Sequence, residues 1–173
     1  MWLNIVNIRF VIVIATSLLM FSCSTPRNNH NNAKSTLKGK VSKQIWIDST
    51  NTKHLFSDYQ PDKNKISRLS DIISNNDYNF VVFAGADCED CHEYLPALFK
   101  LFDESGIDEG KYDIFVLDNK LEEPGGSHND FDIPTTPTVF ILNGKDQIGM
   151  ITYPYYDWLN QIISILEEDI DED

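Results

Sequence analysis

The sequence predicts a mixed α/β domain, with helices flanking a central sheet of mixed strand direction in three layers. Three observations predict it. From residue 43 onward, short apolar runs alternate with stretches whose apolar residues recur at helical spacing. The runs Phe80-Val81-Val82-Phe83 and Tyr112 to Leu117 are compact and apolar, as expected of strands covered on both faces. Asn143-Gly144 joins two further strand-like segments, and Asn-Gly favours the tight turn of an antiparallel hairpin.

Taken in order, Gln44-Ile45-Trp46-Ile47 is expected to form the first, short strand. Ile66, Leu69, Ile72 and Ile73 fall at helical spacing, and that helix should end near Asn75-Asn76. The strand over Phe80–Phe83 comes next. Leu95, Leu98, Phe99 and Phe102 then share one face of a helix, and Gly106 follows its end. After the Tyr112–Leu117 strand comes a loop, then Thr138 to Leu142, the turn, and Gln147 to Thr152. A last helix carries Trp158, Ile162, Ile165 and Leu166 on one stripe and is expected to fray over Glu167 to Asp173. The order β, α, β, α, β, loop, β, β, α implies helices on both faces of a mixed sheet. The aromatic residues of these elements read as core.

A chain of 173 residues has room for one domain and a tail. Its 42% hydrophobic and 24% charged residues exclude collagen-like, wholly disordered and polytopic membrane classes. Twenty-seven acids against 14 bases make the formal charge −13, the wrong sign for phosphate contacts, so no nucleic-acid partner is expected. The charge is uneven: residues 24–76 hold nine bases and four acids, residues 77–173 four bases and 23 acids.

Residues 1–22 read as an address. One cation precedes Phe10 to Phe21, a 12-residue stretch without charge, too short to span about 30 Å of hydrocarbon comfortably. Ser22-Cys23 close it. The arrangement resembles a bacterial lipoprotein signal, although Met20 stands where Leu, Val or Ile is commoner. That resemblance implies cleavage before Cys23, acylation of Cys23 and a lipid anchor in the membrane. An uncleaved anchor helix is the plainer alternative. Either way the remaining chain is expected outside the cytoplasmic membrane, facing the periplasm. Residues 23–42, with Pro26 and the Asn-rich run around His30, are too polar to order themselves and are expected to be a flexible tether. The domain would then occupy residues 43–173 and act as a monomer.

The chemistry sits in Phe80 to His92, where Cys88-Glu89-Asp90-Cys91 falls between a buried strand and the first turn of a helix. Free backbone N–H groups and the positive end of the helix dipole stabilise a thiolate at the first cysteine. Two intervening residues let the second sulfur reach the first without backbone movement, so the pair can close and reopen. With Cys23 occupied by lipid, two thiols remain in a compartment where a disulfide persists.

Across roughly residues 43–168 the sequence resembles the thioredoxin-like superfamily. Pro96, five residues after Cys91, stands where such proteins carry a proline in the active-site helix. Thr136-Pro137, directly before the Thr138 strand, looks like the family's cis-proline loop, and Asn143-Gly144 supplies its hairpin turn. The resemblance implies that Cys88 attacks, Cys91 resolves, and Thr136 and Pro137 shape a substrate groove with a cis peptide. It implies no cofactor beyond the redox-active disulfide. The implied partners are protein thiols and disulfides, with a membrane electron donor or acceptor. Two positions depart from the pattern: Asp87 replaces the family's usual Trp, and Val82 replaces its buried acid. Asp87, Glu89, Asp90 and Glu93 each oppose a thiolate by on the order of 0.5 kcal/mol at about 8 Å in water, which favours a reductase. His92, four residues after Cys88 on the same side of the helix, works the other way when protonated.

Other readings of the same residues stay open. Cys88-Glu89-Asp90-Cys91-His92 also fits a haem attachment pattern, although the strand before it and the Pro137 loop after it suit a packed α/β domain. Cys88, Cys91 and His92, with His128 from the Gly125-Gly126-Ser127-His128 loop, are ligands suited to Cu(I) or Zn(II), as in a thioredoxin-like metallochaperone. A redox-inactive binding module would use the disulfide only as a staple. His54 has no pattern around it.

Overall fold

The computed structural model describes residues 37–152 and 157–172. The expected leader, Cys23, His30 and the tether up to residue 36 lie outside the described residues. The sheet contains β1 (Gly39–Val41), β2 (Tyr78–Gly85), β3 (Tyr112–Leu117), β4 (Thr138–Asn143) and β5 (Asp146–Ile151), in the order β1-β3-β2-β4-β5. β2 and β3 run parallel, while the other three pairs are antiparallel. The helices are α1 (Lys43–Thr50), α2 (Lys53–Asp58), α3 (Lys63–Asn75), α4 (Glu89–Ser105) and α5 (Trp158–Glu172).

Strand alternation divides the interior into two cores. Phe80, Val82, Ala84, Ile114, Val116, Val139 and Ile141 face one side, where they meet Trp46, Leu69, Leu95, Leu98, Phe99 and Ile162 of the helices. Val81, Phe83, Phe115, Leu117 and Phe140 face the other side, packed against Leu121, Phe131 and Ile133 of the long β3–β4 connection. Helices, sheet and this connection, with its 3-10 helix over Ser127–Asp130, make three layers. The result is a mixed α/β fold, its five-stranded sheet flanked by helices, compatible with a thioredoxin-like three-layer arrangement.

Three sequence expectations need correction. Gln44–Ile47 is not a strand but part of α1, because Ser42 caps that helix, its Oγ accepting from the N–H of Ile45 at 3.3 Å. Burial falls on the adjacent residues Trp46 and Ile47 while Ile45 is exposed, a helical pattern that four residues cannot distinguish from alternation. The first strand is instead Gly39–Val41, inside the segment assigned to the tether, so the folded domain begins before residue 43. Finally, α5 does not fray after Leu166. Asp169 accepts from Tyr78 Oη at 2.8 Å and from Asn143 Nδ2 at 2.9 Å, which ties the acidic end of the helix to β2 and β4. The hairpin is present, but its two loop residues are Gly144 and Lys145, since Asn143 still pairs with Asp146.

Candidate active site

The site is assembled where β2 ends and α4 begins. Gly85 closes the strand, Ala86 and Asp87 turn the chain, and Cys88 is the N-cap of α4, with φ −87° and ψ 112°. An N-cap ordinarily satisfies a free helix N–H through a side-chain oxygen. Here sulfur serves: the N–H of Cys91 donates to Cys88 Sγ at 3.1 Å. Glu89 and Asp90 occupy the first turn and are exposed, where carboxylates complement the helix dipole. The same two acids that oppose a thiolate therefore stabilise the start of the helix.

Cys88 and Cys91 form a disulfide, their Cα atoms 5.2 Å apart. The two sulfurs differ in access. Cys91 is fully buried in the helix-side core, where the Gly85 N–H donates to its Sγ at 3.4 Å, whereas Cys88 is half-buried. Of the two sulfurs, Cys88 is therefore the one open to approach from outside the fold, while Cys91 lies beside a backbone donor.

Opposite Cys88 stands the loop before β4. The Thr136–Pro137 peptide is cis, and Thr136 O lies 3.3 Å from Cys88 Sγ, placed to accept from the thiol once the disulfide is reduced. The Thr138 hydroxyl donates to Thr135 O at 2.8 Å and fixes this loop on the sheet. Contact between the two segments is close: a Cβ on Gly85 would lie 2.9 Å from Cys88 Cβ and 3.2 Å from Thr136 Oγ1. Glycine at 85 is what permits that approach.

A cavity of about 360 Å³ opens beside Cys88, bounded by Asp87, Thr136, Leu37, Lys38, Asp118 and Leu121 among others. Two carboxylates hold the connection after β3: Asp118, which lines the cavity, and Glu123, which does not. Asp118 accepts from the N–H groups of Lys120 (2.8 Å) and Glu122 (3.2 Å) and from Lys38 Nζ (3.1 Å). Chiefly through the Lys120 N–H, its pKa falls to about 2. Glu123 is buried, with its carboxylate 2.5 Å from both the Gly125 and Ser127 nitrogens. Burial alone would raise its pKa, but these N–H donors outweigh it and the net shift is downward. Sequence reasoning passed over Lys38, Asp118 and Glu123. Only the run Glu123-Pro124-Gly125-Gly126-Ser127, an acid facing a tight turn, hinted at this anchor.

The two candidate histidines lie elsewhere than a common metal site requires. His92 Nε2 lies 2.9 Å from Ala86 O, and its ring meets Trp46 edge-on with centroids 5.9 Å apart. This clamps the first turn of α4 to the loop entering Cys88. His128 Nδ1 accepts from the Glu123 N–H at 3.3 Å in the β3–β4 connection. Among the described residues, no three His, Cys, Asp or Glu side chains are grouped so as to hold a metal ion.

No family model matches the chain, and no curated protein matches it. Among solved structures, the chain is similar to a protein of unknown function from Pseudomonas aeruginosa, at 15% identity, TM-score 0.44, covering 74% of this chain and 87% of that one. It is also similar to an HIV epitope-scaffold, at 14% identity, TM-score 0.43, covering 73% and 87% respectively.

Proposed function

We propose that the protein is a membrane-anchored thiol–disulfide oxidoreductase of thioredoxin-like type, working as a reductase on disulfides outside the cytoplasmic membrane. The observation that carries this reading is the Cys88–Cys91 disulfide on the first turn of α4, with Cys88 the more accessible sulfur and Thr136 O against it. The apolar stretch ending at Ser22-Cys23 supports export and lipid anchoring at Cys23, with the domain facing the periplasm.

The cycle starts from the dithiol. Cys88 thiolate attacks one sulfur of a client disulfide, forming a mixed disulfide and expelling the client's other sulfur as a thiolate that takes up a proton. Cys91 then loses its proton to solvent and attacks Cys88 Sγ. The internal disulfide re-forms and the client's second sulfur leaves as a thiolate. The client gains two electrons, which a membrane-held dithiol donor returns to the pair.

The test is a trapping experiment with the full chain. Cys91→Ser should accumulate dithiothreitol-sensitive adducts with envelope proteins, and Cys88→Ser should accumulate none. A folded Cys91→Ser variant that traps nothing would make the domain a binding module stapled by its disulfide.

A further inference from the structure

We propose that His92 is a positioning residue for thiol–disulfide exchange: its ring holds the corner that carries Cys88 while the disulfide is open, and so keeps Cys91 within reach of Cys88 Sγ. This rests on the oxidoreductase reading above and concerns how that site keeps its geometry through the cycle.

Cys88 caps α4 and Cys91 lies in its first turn, and Pro96 loosens that turn from the rest of the helix. Proline has no N–H, so the bond that residue 96 would donate to His92 O is missing, and the proline ring crowds that carbonyl. The turn depends instead on bonds to the segments around it. Three of these involve sulfur: the Gly85 N–H to Cys91 Sγ at 3.4 Å, the Cys91 N–H to Cys88 Sγ at 3.1 Å, and the contact of Cys88 Sγ with Thr136 O at 3.3 Å. Each is altered when the pair opens or Cys88 takes up a client.

His92 supplies bonds that involve no sulfur. Its backbone N–H donates to Cys88 O at 3.1 Å, and its ring Nε2 lies 2.9 Å from Ala86 O. A carbonyl oxygen only accepts, so Nε2 carries the proton and donates. One residue thus grips the chain on both sides of Asp87, at the sulfur open to attack. Trp46 of α1, fully buried, meets the imidazole edge-on at 5.9 Å and Phe99 of α4 at 5.7 Å, which backs the ring in this orientation.

In the disulfide form the S–S bond keeps the two cysteines together whether or not the ring holds Ala86. In the dithiol and in a mixed disulfide that cross-link is gone. Losing the ring bond therefore loosens the open forms and spares the closed one. The equilibrium moves toward the dithiol, and Cys91 meets Cys88 less often.

The experiment uses the full chain in detergent, equilibrated with reduced and oxidised glutathione. Two glutathione thiols give up two electrons and pass their protons to Cys88 and Cys91; the protein S–S bond breaks and that of glutathione disulfide forms. His92→Gln keeps an N–H donor at similar reach, whereas His92→Leu has none. Both are uncharged at every pH, so any effect of imidazole charge on Cys88 cancels between them. Relative to Gln, the Leu variant should shift the equilibrium about fivefold toward the dithiol, a rise of about 20 mV. A peptide mixed disulfide on Cys88 should also be resolved about fivefold more slowly. If the Leu variant does not fold, His92→Ala takes its place in the same comparison. Equal equilibria and equal resolution rates in Gln and in the variant lacking the donor would overturn the positioning role and leave the oxidoreductase reading intact. If glutathione opens the wild-type pair at no ratio, both readings fall.

Discussion

Cys88 Sγ lies 3.3 Å from the carbonyl oxygen of Thr136, a residue 48 positions further along the chain. The contact joins the corner between β2 and α4 to the loop before β4, and each segment is fixed from behind. Gly85 pairs with Leu117 of β3, and Thr138 pairs with Phe83 of β2. A local Cys-x-x-Cys thereby becomes a site with an opposing wall.

The approach depends on the missing side chain at residue 85. Gly85→Ala places a Cβ 2.9 Å from Cys88 Cβ and 3.2 Å from Thr136 Oγ1, so one of the two segments must shift. The expected cost is about 1–3 kcal/mol in urea unfolding, together with a lower kcat/KM for insulin reduction. An unchanged rate would mean that the spacing of Cys88 and Thr136 does not matter to exchange.

The acids around Cys88 should make the couple reducing. A glutathione titration is expected to place its potential below about −150 mV. Neutralising Glu89 and Asp90 together, as Glu89→Gln with Asp90→Asn, should favour the thiolate and raise the potential by about 20 mV. The same double variant should weaken the start of α4, where these carboxylates complement the helix dipole.

These effects show what the sequence revealed and what it hid. The strand before Cys88, the helix after it and the Thr136-Pro137 loop were legible because apolar runs, the Gly106 cap and the Pro-before-strand pattern are local signals. The cavity was not, because its walls come from Leu37–Lys38, Asp118–Leu121 and Pro134–Thr136, which meet only through sheet pairing. Likewise β1 was hidden in a polar segment: Gly39, Lys40 and Val41 carry no strand periodicity and are held by register with Val116, Phe115 and Ile114. The end of α5 was misread because its acidic tail is helical through a tertiary bond to Asp169, not through local propensity.

Glu123 anchors the segment that covers the second face of the sheet. Glu123→Gln turns one acceptor into a donor facing a backbone N–H, with the Gly125 and Ser127 nitrogens both 2.5 Å from the native carboxylate. A loss of about 2 kcal/mol is expected by chemical denaturation. Hydrogen exchange should rise first over residues 118–136. Uniform exchange across the domain would show that the loop has no separate dependence on this carboxylate.

Acid should loosen the same connection between β3 and β4. Asp118 and Glu123 both have folded pKa values below their ordinary ones, Asp118 at about 2. Groups shifted down contribute stability that is fully present above their unfolded values, near 4, and that is lost as pH falls through the folded values. Thermal unfolding followed from pH 7 to pH 2 should therefore stay level down to about 4 as far as these two groups are concerned, and decline below it. Asp118→Asn should flatten part of that decline, and an identical curve in this variant would remove Asp118 from the explanation.

The most direct measurement of the central claim is alkylation with mass spectrometry on the folded full chain across a glutathione redox titration. One two-electron transition is expected, with Cys88 alkylated in the reduced native protein and Cys91 protected until unfolding. A pair that never opens, or a reduced protein in which Cys91 is modified ahead of Cys88, would contradict it.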